Sequence, residues 1–72
     1  MTTLMWEVKA AEGRADDLVA WVLEHAAADA AVYRSADERV VVIDANGTAM
    51  PDAPADLVDR PPHAWDFEVV RR

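Results

Sequence analysis

The sequence predicts a single α+β domain over residues 1–72, built from a four-stranded antiparallel sheet and one main helix. Three observations predict this class. Apolar and polar residues alternate with period two near both ends of the chain, one stretch near the start has helical spacing, and the middle has a hairpin pattern. A chain of 72 residues has the length of one domain at most.

The first strand is predicted from TLMWEVKA, residues 3–10. Leu4, Trp6 and Val8 alternate with the residues between them, so the two sets lie on opposite faces of a sheet. One face of this strand is therefore fully apolar and the other is mixed.

A helix is predicted from Arg14 to about Ala28, after a glycine turn. Asp16 and Asp17 fall in its first turn, where the helix dipole favours carboxylates. Trp21 lies on the flank of the helix, so we expect a second helix, a loop or a partner subunit to cover it. The helix has an apolar stripe that can cover a sheet, formed by Ala15, Val19, Val22 and Ala26, with Leu18 and Leu23 on its shoulders.

The middle of the chain predicts a hairpin of two strands, Ala31–Ser35 and Arg39–Asp44. The run Val40–Ile43 is apolar on both faces, which is typical of a central strand covered on both sides. A turn-rich segment follows, with one short helical turn expected over Ala55–Asp59. Two prolines end that turn.

The last strand is predicted from HAWDFEVV, residues 63–70. We expect Trp65, Phe67 and Val69 to point one way, with Trp65 and Phe67 meeting Trp6 under the helix. On this interpretation the segment is a core strand, and its removal would take away much of the core. The opposite face of the strand is then expected to carry Asp66, Glu68 and Val70.

The order of strand, helix, strand, strand, short helix and strand predicts a split β-α-β plan, the ferredoxin-like βαββ(α)β arrangement. Its first and third strands are central, and its last strand lies at the edge beside the first. One face is covered by helices, and the other is too apolar for water, so we predict a homodimer with two sheets packed face to face. That second face is expected to carry Met5, Glu7, Lys9, Asp66, Glu68, Val70, one pair from residues 40–43, and Tyr33 or Arg34.

Composition argues against several classes of function. The chain has 14 acidic and 7 basic side chains and a net charge of -7. Nucleic-acid binding needs a basic stripe, and the one basic cluster here is the pair Arg71 and Arg72. The acidic surface and the lack of a long apolar run argue against a membrane, and no signal peptide is predicted, so we expect a cytoplasmic protein. The absence of cysteine excludes disulfides and leaves oligomerisation as the expected source of extra stability.

Two segments carry a resemblance to a known family. MWEVKAAEGRADDLVAWV, residues 5–22, and AVYRSADERVVVI, residues 31–43, resemble the small antibiotic-biosynthesis-monooxygenase-like proteins of the dimeric α/β-barrel superfamily. The resemblance implies a dimer, and its enzyme members use a pocket between sheet and helices, often without a metal or organic cofactor. They usually have a tryptophan after the third strand and a long second helix, and residues 43–62 have neither.

Four residues are candidates for a site. His63 and Tyr33 are weak catalytic candidates, because a histidine titrates near neutrality and a tyrosine hydroxyl can orient a ligand. Trp6, Tyr33, His63 and Trp65 are candidates to bind a small aromatic ligand. Each also has a structural interpretation, as a core aromatic, a structural tyrosine or a locally bonded loop histidine.

No metal and no cofactor is predicted. His25 and Asp29 have the i,i+4 spacing of two ligands on one helix, but no third ligand is evident in the sequence. A solvated helix flank accounts for the pair.

Three functions remain open on the sequence. The first is a small dimeric binding or accessory protein on an α/β-barrel scaffold, favoured by the missing tryptophan and the short second helix. The second is a cofactor-independent monooxygenase or isomerase acting on an aromatic, polyketide-like substrate, which the resemblance alone implies. The third is an acidic module that binds a basic protein partner. Whether the protein is an enzyme is left undecided.

Overall fold

The computed structural model describes residues 2–71, so Arg72 of the terminal basic pair lies outside the described residues. The α+β class is confirmed, because this part of the chain contains one α-helix and one four-stranded antiparallel sheet. The elements in chain order are β1 (Thr2–Lys9), α1 (Ala15–His25), β2 (Ala31–Arg34), β3 (Arg39–Asp44), a 3-10 turn (Ala55–Leu57) and β4 (His63–Glu68).

The sheet has the strand order β2-β3-β1-β4, and all neighbouring strands are antiparallel. The strands β1 and β3 are central, whereas β4 lies at the edge beside β1. Trp6 lies opposite Val42 of β3 on one side and opposite Ala64 of β4 on the other. This register decides which side chains share a face, because successive residues of a strand point to opposite sides.

The core lies between α1 and one face of the sheet. Leu4, Trp6 and Val8 of β1 are buried there, as the alternation predicted, and they lie beside Val40 and Val42 of β3. Burial of each such apolar side chain stabilises the fold by about 1.5–3 kcal/mol. These two central strands therefore supply most of the sheet's contribution to the core.

The helix α1 is bounded by local interactions. Gly13 precedes it with a φ of 76°, a backbone conformation that glycine adopts without steric cost. Arg14 Nε donates to Asp17 Oδ2 at 2.9 Å in the first turn. At the other end Ala26 is extended, and its N–H donates to the Val22 carbonyl. With 11 residues α1 is short, and no helix within residues 2–71 is long and apolar enough to cross a membrane.

The buried face of α1 is narrower than the sequence predicted. Ala15, Leu18 and Val22 are buried against the sheet, but Leu23 is 64% exposed. The flank residue Trp21 contacts β1 directly, since its ring centroid lies 6.5 Å from that of Trp6. The sheet itself therefore covers part of Trp21, and no second helix is needed for that.

A tight turn follows β3. The buried carboxylate Asp44 accepts a hydrogen bond from the Asn46 N–H through Oδ1 at 2.8 Å, which forms an Asx turn. Gly47 follows with a φ of 71°, and its N–H donates to the Asp44 carbonyl. A Cβ on Gly47 would lie 2.9 Å from the carbonyl oxygen of Thr2, so this position requires glycine both for conformation and for space.

The second helical segment is reduced to the 3-10 turn Ala55–Leu57, shorter than the predicted 55–59. Leu57 from this turn enters the core, and Val58 forms an isolated bridge with Ala10. Every residue of β4 is nevertheless exposed. The strand is held by its backbone pairing with β1, and no other part of residues 2–71 covers either of its faces.

Candidate functional site

The face of the sheet opposite α1 is named the open face here. Its side chains are set by the registers of the four strands. One row across the strands reads Tyr33, Val41, Glu7 and His63, and the next reads Ala31, Ile43, Met5 and Trp65. Thr3 and Phe67 lie beyond the second row, and Lys9 and Arg39 lie beyond the first.

The placement of Trp65 and Phe67 under the helix with Trp6 is wrong. Trp65 pairs with Met5 and Phe67 pairs with Thr3, so both aromatic rings lie on the open face. Trp6 instead pairs with Ala64 and is buried on the helix side. The expectation that β4 supplies much of the buried core is wrong for the same reason.

Glu7 and Lys9 lie on the open face as predicted, but the two carboxylates of β4 that were predicted there lie on the other side. Asp66 pairs with Leu4 and Glu68 pairs with Thr2, so both carboxylates lie on the helix side of β4. They are exposed there because α1 and the 3-10 turn do not reach this edge strand. A shift of one residue in the phase of a strand exchanges its two faces, and that is the physical origin of both errors.

The open face is consequently more apolar than the sequence suggested. Its large side chains stand in water, with Trp65 44% exposed, Phe67 50% and Tyr33 56%. Ile43 and Met5 lie between them in the same row as Trp65. These five residues span all four strands, so the exposed apolar surface is continuous across the sheet.

The four candidate ligand-binding residues do not form one site. Trp6 is buried in the core, whereas Tyr33, His63 and Trp65 lie on the open face. His63 and Trp65 are neighbours, with stacked rings whose centroids are 5.8 Å apart. The structure therefore brings two of the four together and separates Trp6 from them by the thickness of the sheet.

The two weak catalytic candidates are far apart within one chain. Tyr33 and His63 lie at opposite ends of one row, with Val41 and Glu7 between them. Three inter-strand spacings separate them by about 14 Å. Their side chains therefore cannot act on the same bond in a single copy.

A polar cleft lies at the end of the open face beside His63. It has a volume of about 180 Å³ and lies where β1 and β3 meet the loop that precedes β4. The residues that line this cleft are Glu7, Val8, Lys9, Arg39, Arg60, Pro61 and His63. Among residues 2–71 Glu7 is the one carboxylate on the open face, and the lining of the cleft has three cations against that one carboxylate.

An ion pair orders one wall of the cleft. Arg39 donates to Glu7 Oε1 at 2.5 Å, and both side chains are partly shielded from water. Arg39 also lies 3.7 Å from Asp37. A hydrogen bond from Ser35, together with the positive charge of Arg39, holds the pKa of the Asp37 carboxyl below its ordinary value.

His25 and Asp29, which have the spacing of two metal ligands in the sequence, bond to other protein groups in the structure. His25 Nδ1 lies 2.8 Å from the Trp21 carbonyl oxygen, and its ring stacks on Trp21. Asp29 accepts a hydrogen bond from Asn46 at 2.7 Å. Within residues 2–71 no group of three histidine or acidic side chains is arranged to hold a metal ion.

Sequence reasoning missed the polar cleft, because its residues come from three separate segments. Lys9 and Arg39 are register partners across β1 and β3, and Glu7 and His63 are register partners across β1 and β4. The only signal in the sequence is that both strands place charged residues at the same end. The residues can be assigned to one site only when the pairing registers of β1, β3 and β4 are known.

Searches of protein-family models, of curated proteins and of solved structures found no match to this chain.

Proposed function

We propose that the protein is a homodimeric binding or accessory protein, in which two copies pack through their open faces. The observation that carries the proposal is a continuous apolar surface that no other part of residues 2–71 covers. It is formed by Trp65, Phe67, Met5, Ile43 and Tyr33. The chain is proposed to follow the ferredoxin-like plan, with β1 and β3 central, and the pair to be a dimeric α/β barrel. The family resemblance supports the same assembly.

The surface area of the chain supports a partner. Its accessible surface is 5014 Å². A compact monomer of 7.9 kDa is expected to have about 4,400 Å². The accessible surface therefore exceeds the expected value by roughly 600 Å². This excess approaches the area that each partner contributes to a standard interface, which is about 800 Å².

The distribution of charge supports a second copy as that partner. A net charge of -7 opposes self-association when it is spread evenly. Within residues 2–71 the open face has a single carboxylate, Glu7, and that group is paired with Arg39. The exposed carboxylates Asp66 and Glu68 lie on the other side of β4, so two open faces meet with little repulsion.

Catalysis on an aromatic substrate has less support. Two of the candidates to bind an aromatic ligand, Trp6 and Trp65, lie on opposite faces of the sheet and so cannot line one pocket. A basic partner for the acidic surface has no specific contact in its favour. A binding or accessory role on the scaffold is therefore the function that the geometry supports best.

Isotope-filtered nuclear Overhauser spectroscopy on a mixture of labelled and unlabelled chains tests the proposal. Contacts between copies are expected from the side chains of Met5, Ile43 and Trp65. Contacts between copies that arise instead from Leu23 on α1 would place the interface on the helix side and contradict the proposal.

A further inference from the structure

The polar cleft has the properties of a ligand site that is complete within one chain. Its side chains come from β1, β3 and the start of β4, with Arg60 and Pro61 from the preceding loop. It lies at the charged end of the open face, beyond the row that contains Met5 and Trp65. The cleft therefore exists in a single copy, whether or not two copies associate.

Backbone hydrogen bonds hold the loop against the end of β1. The Asp59 N–H donates to the Lys9 carbonyl at 2.9 Å, and the Ala11 N–H donates to the Leu57 carbonyl at 2.9 Å. Ala10 and Val58 form a bridge between the same segments. These contacts fix the loop beside the strand. Because the loop is fixed, the cations of Lys9 and Arg60 are held at the same cleft.

The charges around the cleft favour an anion. Lys9, Arg39 and Arg60 supply three positive charges, against Glu7 alone among the lining residues. The ammonium group of Lys9 forms no ion pair with the carboxylates of residues 2–71. Lys9 therefore has the capacity to bind an added negative group.

The neighbouring carboxylates limit the charge of that anion to one. Arg39 is shared between Glu7 and Asp37, and Arg60 lies 3.3 Å from Asp59. The Arg60–Asp59 pair is largely exposed, so it is weak and a ligand can replace it. A dianion such as phosphate would meet these carboxylates at close range with too little free positive charge.

The size and lining of the cleft indicate a small organic ligand. Its volume of about 180 Å³ is below the roughly 300–1,000 Å³ of pockets for drug-sized molecules. Pro61 and His63 supply ring surfaces for an apolar group, and an arginine and a lysine supply donors for carboxylate oxygens. We propose that this cleft binds a small organic monocarboxylate, with Lys9 and Arg60 holding the carboxylate and Pro61 and His63 contacting the organic group.

Titration of the isotope-labelled full chain with sodium benzoate, followed by nuclear magnetic resonance at constant ionic strength, tests this proposal. Benzoate is expected to cause saturable shifts in the His63 ring and at Lys9 and Arg60. Benzamide, which has the same ring and no charge, is expected to cause none at equal concentration. Inorganic phosphate is expected to bind more weakly than benzoate.

Two variants of cleft residues and one control variant separate the effect of the cleft from the effect of net charge. Arg60→Gln and Lys9→Gln are expected to weaken benzoate binding roughly tenfold each, because each removes a charge-assisted hydrogen bond. Arg71→Gln makes the same change of charge outside the cleft and is expected to leave the affinity within about twofold. Amide spectra of the three variants show whether each remains folded.

Several results would overturn the proposal. They are equal binding of benzamide, phosphate binding as tight as that of benzoate, equal loss in Arg71→Gln and Arg60→Gln, and no saturable shift up to the solubility limit of benzoate. None of these results bears on the association of two copies, so failure of the cleft and failure of the dimer are distinguishable.

Discussion

Trp65 lies directly opposite Met5 in the antiparallel pair of β1 and β4, on the face of the sheet that α1 does not cover. The next residue of β1, Trp6, is buried on the other face. This pairing determines which side chains of β4 point to each face of the sheet. It places Trp65 and Phe67, which were expected in the core, on the exposed face. The dimer proposal follows from that placement.

Leu18→Ala is expected to lower the free energy of unfolding by about 2–5 kcal/mol, because Leu18 is fully buried between α1 and the sheet. Leu23→Ala is the matched control on the same helix and is expected to cost less than about 0.5 kcal/mol, since Leu23 is exposed. Urea unfolding at one protein concentration measures both. Equal losses of unfolding free energy would contradict the packing of α1 on the sheet through the face that contains Leu18.

Gly47→Ala is expected to destabilise the fold more than Gly13→Ala. Both positions have positive φ, which costs an alanine about 1–2 kcal/mol. A Cβ on Gly47 also meets the Thr2 carbonyl, whereas a Cβ on Gly13 has no atom of residues 2–71 within 4 Å apart from its chain neighbours. This contact is expected to lower the free energy of unfolding of Gly47→Ala by roughly a further 1 kcal/mol or more. Thermal or urea unfolding measures the difference. A larger loss in Gly13→Ala would contradict the described turn after β3.

Ser35→Ala is expected to raise the pKa of Asp37 towards its ordinary value. The hydroxyl of Ser35 stabilises the charged carboxylate, and the positive charge of Arg39 adds to that effect. Because the folded pKa is lowered, the stabilisation is present above the unfolded pKa and is lost as the pH falls through the folded one. A carboxyl titration by nuclear magnetic resonance measures the shift, and Thr48→Ala is expected to leave it unchanged. No difference between the two variants would remove Ser35 as the cause.

Ile43→Lys is expected to weaken association of two copies by more than about 2 kcal/mol, roughly thirtyfold, because it would bury an unpaired charge between the open faces. Leu23→Lys is the matched control, since it places the same charge at an exposed apolar position on α1. Sedimentation velocity over a range of concentrations measures both variants. Stronger dissociation by Leu23→Lys would locate the interface on the helix.

The sequence predicted the strands and the helix because their periodic patterns are local. The phase of β4 is not local, since HAWDFE alternates an aromatic set with an acidic set and either set can face inward. The choice depends on what covers the strand. Here the second helix is reduced to Ala55–Leu57, so the helix side of β4 is open to water and its carboxylates Asp66 and Glu68 face it.

The polar cleft was beyond sequence reasoning for a related reason. Its walls depend on the pairing of Lys9 with Arg39 and on the contact between the Asp59 N–H and the Lys9 carbonyl. These partners are between 30 and 50 residues apart in the chain. Charge and composition predicted an acidic protein correctly, but the position of its few cations required the fold.

Sedimentation equilibrium of the full chain over a range of concentrations gives the most direct test of the pairing through the open face. We predict a particle of twice 7.9 kDa in which Met5, Ile43 and Trp65 are protected from solvent. A particle of 7.9 kDa at every concentration, with Trp65 freely quenched by acrylamide, would contradict the account.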